Sequence, residues 1–202
     1  MIADSFTLVA AGAILISYLL GSIPMGLILT KITGHGDIRK VGSGNIGATN
    51  VMRIGGLRLA ALTWILDMAK AIAAVCIGYA VADVVFAAWC GFAAIVGHCY
   101  PIWLRFRGGK GISSLFGVLL ASSPLSFAIC AVEWLAVALT SGYSSLGAVF
   151  VFCTMPVLGF VFGNGLGWPF LAIGLLCLWR HRSNIGRLIH GTESKIEWKW
   201  KK

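Results

Sequence analysis

Apolar residues run in long blocks separated by short polar breaks, and this alternation governs the whole chain. The blocks lie at 6–30, 58–80, 85–104, 111–123, 126–140, 145–162 and 166–179. Many approach the ~20 residues that a helix needs to cross a bilayer. The breaks are residues 34–56, Asp83, the cluster from Arg105 to Gly111, Ser122-Ser123-Pro124, Ser141-Gly142 and Gly163-Asn164-Gly165. This pattern predicts an all-α integral membrane protein, a polytopic helical bundle. The block at 111–123 is short: at ~1.5 Å per residue it covers roughly 20 Å of a ~30 Å hydrocarbon core. It either crosses with a tilt or dips in and returns with the next block. The expectation is seven transmembrane helices, with five as the other count.

Composition agrees. Of 202 residues, 58% are hydrophobic and 11% charged, where a soluble domain carries about 25% charged residues. No linker, low-complexity tract or repeat divides the chain, so residues 1–202 read as one domain. Residues 1–5 contain no Lys or Arg, and the first block therefore reads as a retained helix, not a cleaved signal peptide. The six cysteines have no Cys-x-x-Cys spacing and nearly all fall inside apolar blocks, as small buried side chains would. No His, Cys and carboxylate cluster has metal-ligand spacing, so neither a metal nor a cofactor is expected.

The charge distribution sets an orientation. Lys31, Arg39, Lys40, Arg53 and Arg58 lie in or beside the first polar segment, and Arg105, Arg107 and Lys110 in the second. Arg180, Arg182, Arg187, Lys195, Lys199, Lys201 and Lys202 fill the tail. Apart from Lys70, inside a span, every basic residue falls on one side of the alternation. Basic residues mark the cytoplasmic side, so the N-terminus is expected outside and the C-terminus in the cytoplasm; dropping two crossings leaves that parity intact. The net charge of +9 is the sum of this bias, and basic residues so close to the spans argue against a nucleic-acid partner. Trp198 and Trp200, alternating with Lys199 and Lys201, suit an interfacial anchor on anionic lipid.

Three cytoplasmic segments hold more than turn residues. The first runs Gly42-Ser43-Gly44-Asn45-Ile46-Gly47-Ala48-Thr49-Asn50, with Arg53 beyond. Its glycines let backbone N–H groups approach a ligand, its polar side chains add hydrogen bonds, and Arg53 adds a cationic fork; together they suit an anion. The second contains Gly97-His98 and Pro101, then Arg107-Gly108-Gly109-Lys110-Gly111. It is a plausible phosphate cradle without the spacing of the nucleotide P-loop. The third runs Arg180-His181-Arg182-Ser183-Asn184-Ile185-Gly186-Arg187, with Gly191 and Glu193 beyond. His181 and Asn184 share a face if the last helix continues, and a histidine there can orient a hydroxyl or move a proton. Ser144 and Ser145 sit on the same side. Gly21-Ser22-Ile23-Pro24-Met25-Gly26 interrupts the first block. Asp67 and Lys70, at i and i+3 inside a span, can pair as a scaffold element.

These motifs, in this order, resemble the bacterial acyl-phosphate:glycerol-3-phosphate acyltransferases over nearly the whole chain. The resemblance implies an inner-membrane enzyme that faces the cytoplasm and uses no metal or nucleotide. It would transfer the acyl group of an acyl phosphate to glycerol 3-phosphate, giving lysophosphatidic acid and phosphate, the first acylation of phospholipid synthesis. Ser43, Gly44, Asn45, Gly47, Thr49, Asn50 and Arg53, with Arg107, Gly108, Gly109, Lys110 and Gly111, would hold phosphate groups. Ser145, His181 and Asn184 would contact substrate, and His181, Asn184, Ser43 and Lys110 would carry the chemistry. Besides the two substrates, membrane lipid and the enzyme that makes acyl phosphate from acyl carrier protein are the implied partners. Relatives often carry a basic residue just before the tyrosine that precedes Ser145; here it is Gly142. The chemistry fits independently, because an acyl phosphate is already activated and needs no enzyme nucleophile. The competing reading is a transporter for phosphorylated small solutes, which would need polar groups near the bilayer midplane, where Asp67, Lys70 and Glu133 are the candidates.

Overall fold

The first apolar block does not form one helix. In the computed structural model, which describes residues 2–196 and side chains from Ser5 onward, it divides into α1 (Ile2–Gly21) and α2 (Met25–Ile32). Pro24 has no N–H to continue the ladder, and the break falls at the Gly-Ser-Ile-Pro motif. Trp198 and Trp200, read as an interfacial anchor, lie outside the described residues.

A polar loop with a short 3-10 turn at Ile38–Lys40 leads to α3 (Ala48–Val81). Its first two turns belong to the segment read as loop, and Gly56, at φ 74°, sets them off from the spanning part. Then follow α4 (Val84–Cys99), α5 (Ile112–Ser122), α6 (Pro124–Ser141), α7 (Ser144–Phe162), α8 (Gly167–Arg180) and α9 (Arg182–Ile189). Asp83 caps α4 by accepting from the Phe86 N–H at 2.9 Å, and Ser123 caps α6, as short polar residues do at helix starts.

The described residues form no strand. Among the described residues, five helical stretches are long and apolar enough to cross a membrane: Ser5–Ile32, Ala48–Val81, Val84–Leu104, Pro124–Ser141 and Ser144–Phe162. Ile112–Ser122 and Gly167–Arg180 are apolar but shorter. Leu8, Leu15, Ile65, Val132, Leu139, Val157, Val161 and Leu175 face outward. Such an apolar exterior suits lipid as solvent.

The interior is built by close approach. In hydrocarbon, helices associate through small residues that bring backbones together. A Cβ on Gly21 would lie 1.9 Å from the Ala94 carbonyl oxygen, and one on Gly97 would lie 2.1 Å from that of Tyr18. These glycines lock α1 onto α4. Gly26 likewise leaves room for the Ile46 carbonyl of the first polar loop, 2.0 Å from where a Cβ would stand. Phe116, Phe152, Met155, Phe170 and Ile173 fill the space among α5, α7 and α8. Four cysteines are buried as expected, whereas Cys76 and Cys153 face outward.

Asp67 and Lys70 do pair: their charged atoms are 2.8 Å apart and both side chains are buried. Lys70 Nζ also donates to the Ile23 carbonyl at 2.8 Å. The ion pair thereby ties α3 to the break between α1 and α2.

Candidate functional site

The three polar segments come together at one end of the bundle. Its centre is a cluster built from residues far apart in the chain. Lys110, just before α5, donates from Nζ to Asn184 Oδ1 on α9. Asn184 Nδ2 donates to Glu193 Oε1 at 2.6 Å, and Ser145 Oγ at the start of α7 donates to the same oxygen at 2.8 Å. Arg187 Nε donates to Glu193 Oε2 at 2.6 Å. One carboxylate thus gathers three donors from α7 and α9.

The second loop is shaped by its surroundings. The N–H groups of Gly108 and Gly109 donate to the carbonyls of Cys99 and His98 at 3.1 and 2.9 Å. Arg180 donates to the carbonyls of both glycines, at 3.0 Å from Nη2 to Gly108 and 3.1 Å from Nε to Gly109, and its guanidinium lies 4.9 Å from the Tyr100 ring centroid. The amides of Gly108 and Gly109 are therefore used inside the protein. Donors left for a ligand are the Lys110 ammonium and the N–H groups that open α5. The first turn of a helix has no internal partners for them and attracts anions. Gly111, at φ 91°, makes the turn into that helix in a conformation suited to glycine.

In the first loop, Asn50 is the organiser. Its Oδ1 accepts from the Ser43 N–H at 3.1 Å, and its Nδ2 donates to the carbonyls of Ile38, Val41 and Asn45 at 3.3, 3.0 and 2.9 Å. Asn50 is buried, and its amide is committed to the loop. Asn45 Oδ1 accepts from the Gly47 N–H at 3.3 Å. Ser43, Thr49 and Arg53 are exposed. Arg53 is close enough for its charge to act on Lys110. Arg107 is exposed, and its side chain makes no hydrogen bond or ion pair among the described residues. The cation on the loop is instead Arg180.

Electrostatics sharpen these roles. Burial, with Arg187, Arg180 and Arg53 nearby, lowers the Lys110 pKa to about 8, partly offset by Glu193. His181 stands at the junction of α8 and α9, nearly buried, its ring 4.9 Å from that of Phe152. Burial, with Lys110 and Arg180 nearby, lowers its pKa to about 4 against the raising effect of the Cys177 carbonyl and Glu193. The ring is therefore neutral at pH 7. Its Nδ1 lies 2.9 Å from the Cys177 carbonyl oxygen. A carbonyl only accepts, so Nδ1 carries the proton and Nε2 has the lone pair. Burial pushes the Glu193 pKa up, but donors from Asn184, Ser145 and Arg187 outweigh it, and the net shift is down.

Arg180, Arg187 and Glu193 were read from sequence as part of the third segment but were given no role there. The signal for Glu193 was a lone acid in a basic tail. Arg180 had only its place beside His181. The tail continues past Glu193 as a strap: the Ile196 N–H donates to the Gly142 carbonyl at 2.8 Å, and Lys195 Nζ lies 5.6 Å from the Tyr143 ring centroid.

A family model described as glycerol-3-phosphate acyltransferase matches residues 11–191. A glycerol-3-phosphate acyltransferase of Rhizobium etli is 48% identical over 190 residues, covering 93% of this chain and 92% of its own. One from Agrobacterium fabrum is 48% identical over 185 residues, covering 91% and 90%. Among solved structures, PlsY, an integral membrane glycerol 3-phosphate acyltransferase, superposes in its glycerol 3-phosphate form with a TM-score of 0.88 at 34% identity, covering 93% of this chain and 96% of that one. Its lysophosphatidic acid form gives 0.86 at 33% identity, covering 92% and 94%.

Proposed function

The chain belongs to the glycerol-3-phosphate acyltransferase family, and from that premise we propose that it acylates glycerol 3-phosphate with an acyl phosphate as donor. The products are lysophosphatidic acid and inorganic phosphate. The observation that carries this reading is the cationic cluster of Lys110, Arg180, Arg187 and Arg53 around Asn184, Ser145 and His181. Two anionic head groups must be brought together for this reaction, and such a cluster suits them.

The hydroxyl oxygen of glycerol 3-phosphate attacks the acyl carbonyl carbon, and the bond from that carbon to the phosphate oxygen breaks. Lys110 and the N-terminus of α5 hold one phosphate, and Arg53 with the Ser43 to Asn50 loop faces the other. His181 accepts a hydrogen bond from the attacking hydroxyl at Nε2 and so aims its lone pair. With a pKa near 4 the imidazole is a poor final base, so the proton goes to the departing phosphate, which is more basic. Positioning and charge stabilisation supply the rate enhancement, and no covalent enzyme intermediate is needed. Ser43, Lys110, His181 and Asn184 are the groups assigned to the reacting centre; Asn50 and Glu193 hold others in place.

Residues 1–202 act as one domain in the bacterial inner membrane, with this end of the bundle in the cytoplasm, where glycerol 3-phosphate and newly made acyl donors are found. The acyl chain stays among the spans while its head reaches the loops. The enzyme that supplies the acyl phosphate is the natural functional partner. The transporter reading loses support because Asp67 and Lys70 neutralise each other. Time-resolved 31P NMR on purified protein tests the proposal: each lysophosphatidic acid formed should be matched by one inorganic phosphate and one acyl phosphate lost. Product without matching phosphate release would refute the donor assignment.

A further inference from the structure

His98 is a buried imidazole that the reaction scheme leaves unused. It belongs to α4, is 4% exposed, and faces the α3 ion pair through Nδ1: Lys70 Nζ lies 3.1 Å away and Asp67 Oδ1 3.5 Å away. The shorter contact is to an ammonium, which can only donate. Nδ1 is then the acceptor, and the proton of the neutral ring sits on Nε2. This is the opposite tautomer to that of His181.

Nε2 points at the second loop. A Cβ on Gly109 would stand 2.0 Å from it, so the ring edge occupies the space that any larger residue would fill. Among the described residues Nε2 has no hydrogen-bond partner. A ring donor in a side chain only 4% exposed, abutting the loop at Gly109, is incomplete without an acceptor. The backbone repeats the link, since the His98 carbonyl accepts from the Gly109 N–H at 2.9 Å.

We infer that His98 is a substrate-binding residue: its Nε2–H donates to an oxygen of the phosphate held by the Gly108 to Gly111 loop. Lys70 and Asp67 act as positioning residues that fix the donating tautomer. The ligand class is a phosphate monoester or acyl phosphate dianion. The inference rests on reading this loop as a phosphate cradle, and the experiment separates the two.

Steady-state constants for both substrates, and the inhibition constant of inorganic phosphate, are measured for wild type, His98→Gln, His98→Asn and Lys110→Ala in detergent. Glutamine can place an amide donor near Nε2, whereas asparagine reaches only the Nδ1 position. His98→Asn should raise KM for the loop-bound substrate and the phosphate inhibition constant by about tenfold, the weight of one charge-assisted hydrogen bond. His98→Gln should restore both to within about threefold of wild type. A purely structural role would lower the active fraction, and hence apparent kcat, with every KM unchanged; that result overturns the inference. If Lys110→Ala also leaves every constant unchanged, the cradle reading itself falls. If neither His98 variant folds, protein carrying His181→Asn and 15N-labelled histidine decides: the buried ring's Nε2 resonance should move as inorganic phosphate is added, and a static resonance at saturating phosphate contradicts the inference.

Discussion

The ammonium of Lys110 donates to the side-chain carbonyl of Asn184 across 74 residues of chain. That contact joins the second polar segment to the third, and Asn184 passes it on to Glu193 through its amide. Asn184 is placed to keep Lys110 aimed and, by trading partners, to let it meet a phosphate. Asn184→Leu should therefore lower kcat/KM by about tenfold or more, ~1.4 kcal/mol of transition-state stabilisation, while the protein still inserts and purifies. Steady-state kinetics on detergent-purified variant checks this; unchanged kinetics would make the contact incidental.

The Lys110 pKa near 8 sets an alkaline limit. Its charged form predominates below that value and is lost as pH rises through it. The log of kcat/KM should fall above about pH 8, and Lys110→Arg, which stays protonated, should remove that limb even if its maximum is lower. An unchanged limb in the arginine variant would assign the titration to another group.

His181 makes the converse prediction. With a pKa near 4 it is already neutral at pH 6, so no histidine-like limb should appear between pH 6 and 7 in kcat/KM. His181→Ala should still lose about tenfold or more in kcat, because the hydroxyl loses its acceptor. A limb near pH 6.5 that vanishes in this variant would show that the ring titrates normally and works as a base.

The loop glycines should tolerate no side chain. A Cβ on Gly108 would lie 2.2 Å from the His98 carbonyl oxygen and 2.4 Å from Pro101 Cδ. Gly108→Ala must push the loop off α4, and KM for the loop-bound substrate should rise more than kcat falls. Gly186, which has nothing within 4 Å of a Cβ, is the control: Gly186→Ala should leave KM unchanged.

Orientation is open to direct measurement. Reporter fusions after Gly56, Arg107 and Lys202 should report the cytoplasm, and fusions near Asp83 and Asn164 the outside. A periplasmic signal at Arg107 would break the topology drawn from the basic residues.

Much of the architecture was legible because lipid demands apolar blocks, and their ends are punctuated by Gly, Pro, Ser and Asp. The Asp67 and Lys70 pairing followed from i, i+3 spacing on one helix. The break between α1 and α2 was marked by Pro24, but not its binding to Lys70, which depends on how α3 packs. The start of α3 at Ala48 was hidden because Gly55 and Gly56 disguise two helical turns as loop. Within the candidate site, the structure brings together Lys110, His181 and Asn184, which stood in glycine-rich or basic segments, and Ser145, which only the family resemblance singled out, whereas Arg107 and Asn50, assigned to phosphate on the same loop motifs and resemblance, stand outside that cluster. Asn50 instead binds its own loop, and Arg180 holds the glycines. Glu193 joins the cluster through a tail that folds back 48 residues to Ser145, a return that no local pattern encodes. That same strap brings Lys195 to Tyr143, beside the glycine at 142.

The identity of the acyl donor is decided by a single product assay. Purified protein is given glycerol 3-phosphate with either palmitoyl phosphate or palmitoyl-coenzyme A, without added metal, nucleotide or carrier protein, and lysophosphatidic acid is measured. Rapid product is expected from the acyl phosphate and much less from the thioester, which lacks the directly attached phosphate that Lys110 would hold. Product from the thioester alone, made by folded protein, would contradict the donor assignment.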